Sequence, residues 1–152
     1  MNLLLISNST NAGEAYLKYP IHEIAKSLEG IDEVVFVPYA AVTFSYDEYE
    51  RKVQERFNEI GVKVRSIHRE KNPRKAIREA QAICVGGGNT FALTKKMQEQ
   101  GLMSAILKRV KEGVPYVGWS AGSNVCCPTI CTTNDMPIVE PESFKAIGAV
   151  KF

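Results

Sequence analysis

Histidine is nearly absent from this chain. His22 and His68 are the only two among 152 residues, so chemistry that needs an imidazole base has two candidates. Long apolar runs are absent too. Nothing approaches the roughly 20 residues that a membrane-spanning helix needs. Leu3-Leu4-Leu5-Ile6 is too short for a secretion-signal core and has no basic residue ahead of it. The expectation is a chain without a membrane partner, resident in the cytoplasm. Charge of one sign is also missing: 19 basic residues face 17 acidic ones, for a net charge of +2. That balance leaves no electrostatic footprint for nucleic acid. Cysteine is sparse, and three of the four crowd into Cys126-Cys127-Pro128-Thr129-Ile130-Cys131, with Cys84 apart. Adjacent cysteines with no histidine nearby are not zinc spacing. No metal and no cofactor are expected, and the thiols read as small apolar residues in a reducing compartment.

What is present is a regular alternation. The composition is 45% hydrophobic and 24% charged, enough to bury one core, and the length suits a single domain spanning residues 1–152. Short β-rich runs at 3–7, 34–37, 62–67, 82–85 and 114–117 predict strands. Amphipathic stretches at 21–28, 46–60, 73–80, 89–99 and 103–111 predict helices. Gly61 and Pro73 are placed as a helix stop and a helix start. The helix over 46–60 carries Arg51, Lys52 and Arg56 among Asp47, Glu48, Glu50, Glu55 and Glu59; mixed signs at that spacing read as a solvated face. Strand–helix alternation implies crossovers, hence an α/β fold of three layers: a mostly parallel sheet with helices on both faces. In such sheets, sites lie at the carboxyl ends of strands. The stretch from Cys126 onward is less regular and reads as loop, with a short strand near 137–139.

Both glycine clusters fall at predicted strand ends. The second, Gly118-Trp119-Ser120-Ala121-Gly122, follows an apolar run and precedes a predicted helix. Strand, Gly-x-Ser-x-Gly, helix is the pattern of a nucleophile elbow. Such a turn exposes the serine hydroxyl, and the flanking glycines let it close without side-chain clashes. The helix start points free N–H groups at the same place, which suits an oxyanion. Ser120 is therefore the candidate nucleophile and the Ala121 N–H the first oxyanion donor. A second donor belongs on another strand-end loop, and Gly86-Gly87-Gly88-Asn89 fits. A phosphate-binding turn is the rival for that loop, but it lacks both the Gly-x-Gly-x-x-Gly spacing and a P-loop lysine.

Three stretches carry a resemblance: Cys84-Val85-Gly86-Gly87-Gly88-Asn89-Thr90-Phe91, the elbow itself, and Thr132-Thr133-Asn134-Asp135-Met136-Pro137-Ile138. With Leu3-Leu4-Leu5-Ile6-Ser7-Asn8-Ser9-Thr10, they resemble peptidase E, the aspartyl dipeptidases, serine peptidases on a class I glutamine amidotransferase-like (flavodoxin-like) fold. The resemblance runs along the whole chain. It implies cleavage of Asp-X dipeptides, with Ser120 as nucleophile, Gly88 and Ala121 forming the oxyanion hole, and Asp135 as a catalytic-site acid. By its residues alone, an aspartate after asparagine in a polar stretch is commonly a turn residue. As a site acid, Asp135 could orient a histidine or bind the dipeptide's free amine, and the sequence does not choose between them.

The family's histidine lies shortly after the region matching 144–152. The resemblance therefore implies the N-terminal, C-terminally truncated portion of a peptidase E, without its catalytic histidine. His22 falls on an early helix and His68 at a strand end. The expectations are weak or no turnover of aspartyl dipeptides, and self-association through exposed apolar surface. Two other readings stand beside this one. One is a degenerate, non-catalytic homologue that binds an acidic small molecule or a partner. The other is a cyanophycinase-like serine hydrolase, against which the elbow sequence and Asn134-Asp135-Met136-Pro137 favour the dipeptidase.

Overall fold

The computed structural model describes residues 1–131 and 133–151. Thr132 and Phe152, which the sequence reading touched, lie outside the described residues. The elements run β1 (Leu3–Ile6), α1 (Ile21–Ser27), β2 (Glu33–Val37), α2 (Tyr46–Phe57), β3 (Lys63–Ser66), α3 (Pro73–Glu79), β4 (Ile83–Val85), α4 (Thr90–Glu99), α5 (Leu102–Lys111), β5 (Tyr116–Trp119) and α6 (Ala121–Asn124), with single 3-10 turns after α2 and β3. Local chemistry sets several boundaries. The Ser45 side chain accepts from the Glu48 N–H at the start of α2, Asn72 precedes Pro73 at the start of α3, and Asn89 accepts from the Ala92 N–H at the start of α4; each satisfies a donor that the first helical turn leaves unpaired. Gly61 closes the turn after α2 at a φ of 68°.

Five strands pair in the order β1-β5-β4-β2-β3, every pair parallel. The sheet is buried on both faces, so its strands read as near-continuous apolar runs. Alternate residues divide two cores. Val35, Val37, Ile83, Val85 and Tyr116 face α3, α4 and α5 through Ile77, Leu93, Met97, Ile106 and Val110. Val34, Phe36, Cys84, Val117 and Trp119 face α1 and α2 through Ile24, Tyr49, Val53 and Phe57. This is the α/β architecture that the alternation implied.

Two local expectations are corrected. The strand placed at 114–117 runs from Tyr116 to Trp119: its register against β1 pairs Leu5 with Gly118 and Ile6 with Trp119, so the ladder continues to the residue before Ser120. Among the described residues, no strand forms near 137–139. Pro137 and Pro141 each lack a ladder donor, the Met136 carbonyl is taken by the Asn89 side chain, and the only β pairing described in this region is a single bridge between Thr129 and Lys145.

Candidate active site

The carboxyl ends of β1, β2, β4 and β5 converge on one open cavity of about 480 Å³. Asn8, Ser9 and Thr10 border it after β1. Residues 41–44 border it after β2, Gly87 and Gly88 after β4, and Ser120 after β5, while Tyr16, Tyr49 and Lys52 complete the wall. Strand β2 has β3 on one side and β4 on the other, so the chain reverses direction across the sheet here. That is where crevices open in parallel sheets.

Ser120 sits at a φ of 55° and a ψ of −113°, a conformation that a side-chain-bearing residue adopts only when its surroundings enforce it. Its N–H donates to the Ile6 carbonyl at 2.8 Å, fixing the turn to the end of β1. Its carbonyl accepts from Ser123 and Asn124, opening α6. The glycines on either side make the bend possible. A Cβ on Gly118 would lie 2.5 Å from the Gly122 carbonyl oxygen, and one on Gly122 would lie 1.9 Å from the Val85 carbonyl oxygen. The elbow is thus pressed backbone to backbone against itself and against β4.

The triple-glycine loop meets it closely. A Cβ on Gly87 would stand 2.8 Å from the Ser120 Cβ and 3.4 Å from its Oγ. Gly88 has a φ of 140° and no room for a side chain, since its Cβ would fall 2.2 Å from the Ala40 carbonyl oxygen. Among the described residues, the N–H groups of Gly88 and Ala121 meet no backbone acceptor. Two adjacent strand ends therefore bring a half-buried serine hydroxyl and two uncommitted backbone donors to one place, two of the three parts an acyl-transfer site requires, the third being a base.

Asp135 lies behind the loop. Its Oδ2 accepts from the Thr90 N–H at 2.8 Å and from the Thr90 hydroxyl at 2.6 Å. Thr90 also receives hydrogen bonds from Asn124 and Thr133, so Asp135 braces the start of α4 two residues past Gly88. Oδ1 carries no partner among the described residues. The aspartate does cap backbone, as a turn residue would, but that backbone is 45 positions away.

Neither histidine borders the cavity. His22 is exposed on α1. His68 is fixed beyond β3, with Nδ1 against the Ser66 hydroxyl at 2.5 Å and Nε2 against Asp47 Oδ1 at 2.7 Å. That hydrogen bond and the Arg69 charge hold the Asp47 carboxyl below its ordinary pKa. Ser66 is 1% exposed, so this Asp–His–Ser array offers no accessible nucleophile.

Sequence reasoning missed Tyr16, Tyr49 and Lys52. Tyr49 reads as one apolar position on α2 and Lys52 as part of a solvated face. Lys52 instead turns its ammonium over the Tyr16 ring, 4.6 Å from the centroid, and lies 5.6 Å from the Phe44 ring. The signal available was the location of sites at strand carboxyl ends, which points to the segments after β1 and β2 as well as to the glycine clusters. Cys84 and Cys126 are buried, and burial raises both thiol pKa values, Cys126 to about 12. Among the described residues, no three His, Cys, Asp or Glu side chains group as metal ligands, and no helix is long and apolar enough to cross a membrane.

The sequence profile of peptidase family S51 matches residues 3–152. Peptidase E of Salmonella arizonae is 50% identical over 148 residues, covering 97% of this chain and 65% of that relative. Peptidase E of Salmonella typhimurium is 51% identical over 147 residues, covering 97% and 64%. The chain thus spans a little under two thirds of these relatives. Among solved structures, a peptidase E candidate from Listeria monocytogenes EGD-e superposes with a TM-score of 0.76 at 26% identity, over 98% of this chain and 75% of that one. A peptidase from an acI-B1 Actinobacterium shares the fold, with a TM-score of 0.69 at 18% identity over 96% and 63%.

Proposed function

The chain belongs to peptidase family S51, and on that premise we propose that it carries the nucleophile and oxyanion hole of a serine dipeptidase acting on dipeptides with an N-terminal aspartate. The observation that carries this reading is Ser120, held at its positive φ on a strand-to-helix elbow and facing Gly87 and Gly88. In the proposed reaction, Ser120 Oγ attacks the scissile carbonyl. The oxygen that becomes negative is received by the N–H groups of Gly88 and Ala121. Collapse of the tetrahedral adduct expels the second amino acid as its amine, and water then releases aspartate from the serine ester. Asp135 does not border the cavity as the structure stands; in the proposed reaction it remains a site acid whose Oδ1 serves either a histidine or the dipeptide ammonium.

An acidic substrate also suits the cavity's charge. Lys52 is the one formally charged side chain among the residues that border it, and it makes no ion pair with Glu48 or Glu55, its neighbours on α2, among the described residues. A carboxylate in the cavity would meet that cation at its wall.

The proton of Ser120 needs a base, and neither His22 nor His68 reaches the cavity. The 152-residue chain is therefore expected to cleave Asp-Leu weakly or not at all, leaving the smaller contribution that oxyanion donors and binding retain without a full triad. The same observation favours a second reading, a non-catalytic chain that binds an acidic small molecule. A fluorophosphonate probe separates them. Slow stoichiometric labelling at Ser120, located by mass spectrometry and lost in Ser120→Ala, supports the nucleophile; a folded chain that never labels is the binder. Brisk Asp-Leu cleavage by this chain, abolished in Ser120→Ala, would overturn the expectation of weak turnover. Cleavage of an aspartate-rich polymer in preference to Asp-Leu would redirect the reading to a cyanophycinase-like hydrolase.

A further inference from the structure

Beneath the cavity lies a group of hydroxyls and an indole that the acyl-transfer steps do not use. Tyr49 is 1% exposed, and its hydroxyl lies 3.0 Å from the Gly87 carbonyl oxygen. A carbonyl only accepts, so the Tyr49 proton is committed to Gly87. The Tyr49 oxygen must then accept from the Tyr16 hydroxyl, 2.7 Å away. The Trp119 indole N–H donates to the Tyr16 oxygen, with a longer contact of 3.1 Å to the Tyr49 oxygen. The three donors point one way, from Trp119 through Tyr16 and Tyr49 to Gly87.

The peptide bond that receives this chain is trans, like every other described. In a trans peptide the C=O and the next N–H leave on opposite sides of the plane. The N–H opposite the Gly87 carbonyl belongs to Gly88. Drawing that carbonyl into the buried cluster turns the Gly88 N–H the other way, and both glycines border the Ser120 cavity. A peptide between two glycines is otherwise the easiest in the loop to rotate. A hydrogen bond at the carbonyl also polarises the amide, and successive hydrogen bonds reinforce one another, which makes the Gly88 N–H a stronger donor.

We propose that Tyr49 is a positioning residue for the oxyanion hole: its hydroxyl, backed by Tyr16 and Trp119, locks the Gly87–Gly88 peptide with the Gly88 N–H toward the Ser120 cavity. This rests on the reading of Ser120 as the nucleophile. Trp119 is the chain neighbour of Ser120, so the same network ties elbow and loop together. Gly86 has its own part, since a Cβ there would lie 2.5 Å from the Tyr49 oxygen and bar the phenol from the loop. Burial raises the Tyr49 pKa to about 12, so the group stays a donor through neutral and mildly alkaline pH.

The test compares wild type, Tyr49→Phe and Tyr16→Phe as the 152-residue chain with ¹³C- and ¹⁵N-labelled glycine. In Tyr49→Phe the Gly87 carbonyl carbon is expected to move upfield and the Gly88 amide to shift and broaden. In Tyr16→Phe, which leaves the Tyr49–Gly87 bond in place, the Gly87 carbonyl should stay near its wild-type position. That variant controls for general loosening of the cluster, and circular dichroism checks that each variant folds. Fluorophosphonate labelling of Ser120 is the second measurement: Tyr49→Phe should lower the maximal labelling rate about tenfold or more, with the probe concentration at half-maximal rate unchanged. Unchanged glycine resonances in folded Tyr49→Phe would overturn the proposal, as would equal labelling rates in a wild type that does label. A wild type that never labels defeats the nucleophile reading instead, and the glycine resonances then decide whether Tyr49 holds the peptide. If Tyr49→Phe fails to fold, Gly86→Ala takes its place: its Cβ bars the phenol from the loop, so an upfield move of the Gly87 carbonyl carbon would support the proposal and an unmoved one would overturn it.

Discussion

Lys52 and Asp135 show how much a single side chain's surroundings change its meaning. Lys52 sits among acids on α2, yet its ammonium lies against the Tyr16 and Phe44 rings at the edge of the cavity. Replacing it with glutamine should weaken Asp-Leu binding about fivefold, a loss near 1 kcal/mol as for an exposed ion pair, while Leu-Leu binding changes less. Titration calorimetry on both dipeptides checks this, and equal losses for the two would remove the cation from recognition. Asp135 has a structural duty separable from its proposed catalytic one, because it supplies the acceptor for the first N–H of α4. Asp135→Ala should cost about 1 kcal/mol, the usual worth of such a cap, seen as a lower urea midpoint at unchanged slope. Asp135→Asn keeps an acceptor and should recover most of that stability. If activity is present and stays lost in the asparagine variant, the carboxylate has a role beyond the cap.

At the scale of elements, the elbow was the most legible part of the chain. Two glycines spaced around a serine after an apolar run specify a close backbone approach whatever surrounds them, and the contacts of Gly118 and Gly122 show which backbones approach. Gly122→Ala should therefore cost more than about 3 kcal/mol, because α6 would have to leave β4; urea denaturation reads this, and a near-neutral variant would mean that α6 has freedom to shift. Helices were legible where a start signal and spacing agreed, as at Pro73 and along Tyr49, Val53 and Phe57; the Asn72 cap was not read. The strand at Tyr116–Trp119 was placed two residues early, because Gly118 breaks an apolar run in sequence but pairs normally with Leu5 in space. The stretch at 137–139, expected as a short strand, finds no backbone partner to pair with among the described residues. The bracing of α4 by Asp135 and the contact of Tyr49 with Gly87 join residues 45 and 38 positions apart, and no local pattern encodes such distances.

The whole molecule exposes one liability and buries another. β1 stands at an edge of the sheet with Leu3, Leu4 and Leu5 only half-covered, and Met136, Ile138 and Phe144 are 75%, 53% and 50% exposed. We propose that these surfaces drive self-association. Light scattering should give a mass that rises with concentration, and a constant monomer mass would exclude it. The buried liability is a set of phenols. Tyr16, Tyr49 and Tyr116 all have pKa values raised above the ordinary 10.0, each mainly by burial, Tyr49 to about 12. An unfolded chain gives up these protons near pH 10, whereas the folded chain holds them to higher pH. The folded state therefore binds more protons in that interval, and stability falls with rising pH. The contribution is fully present below pH 10 and drains away as pH climbs toward and past 12. For Tyr49 alone it is on the order of 3 kcal/mol, a large share of an ordinary domain's stability. The chain should unfold cooperatively in this window, with tyrosinate absorbance and loss of helical circular dichroism rising together. Tyr49→Phe, if folded, should resist alkali better than its loss of stability at neutral pH would suggest. Tyrosinate that appears several pH units before the helices melt would mean that these hydroxyls are open to solvent, and the hydrogen-bonded floor beneath Ser120 would go with them.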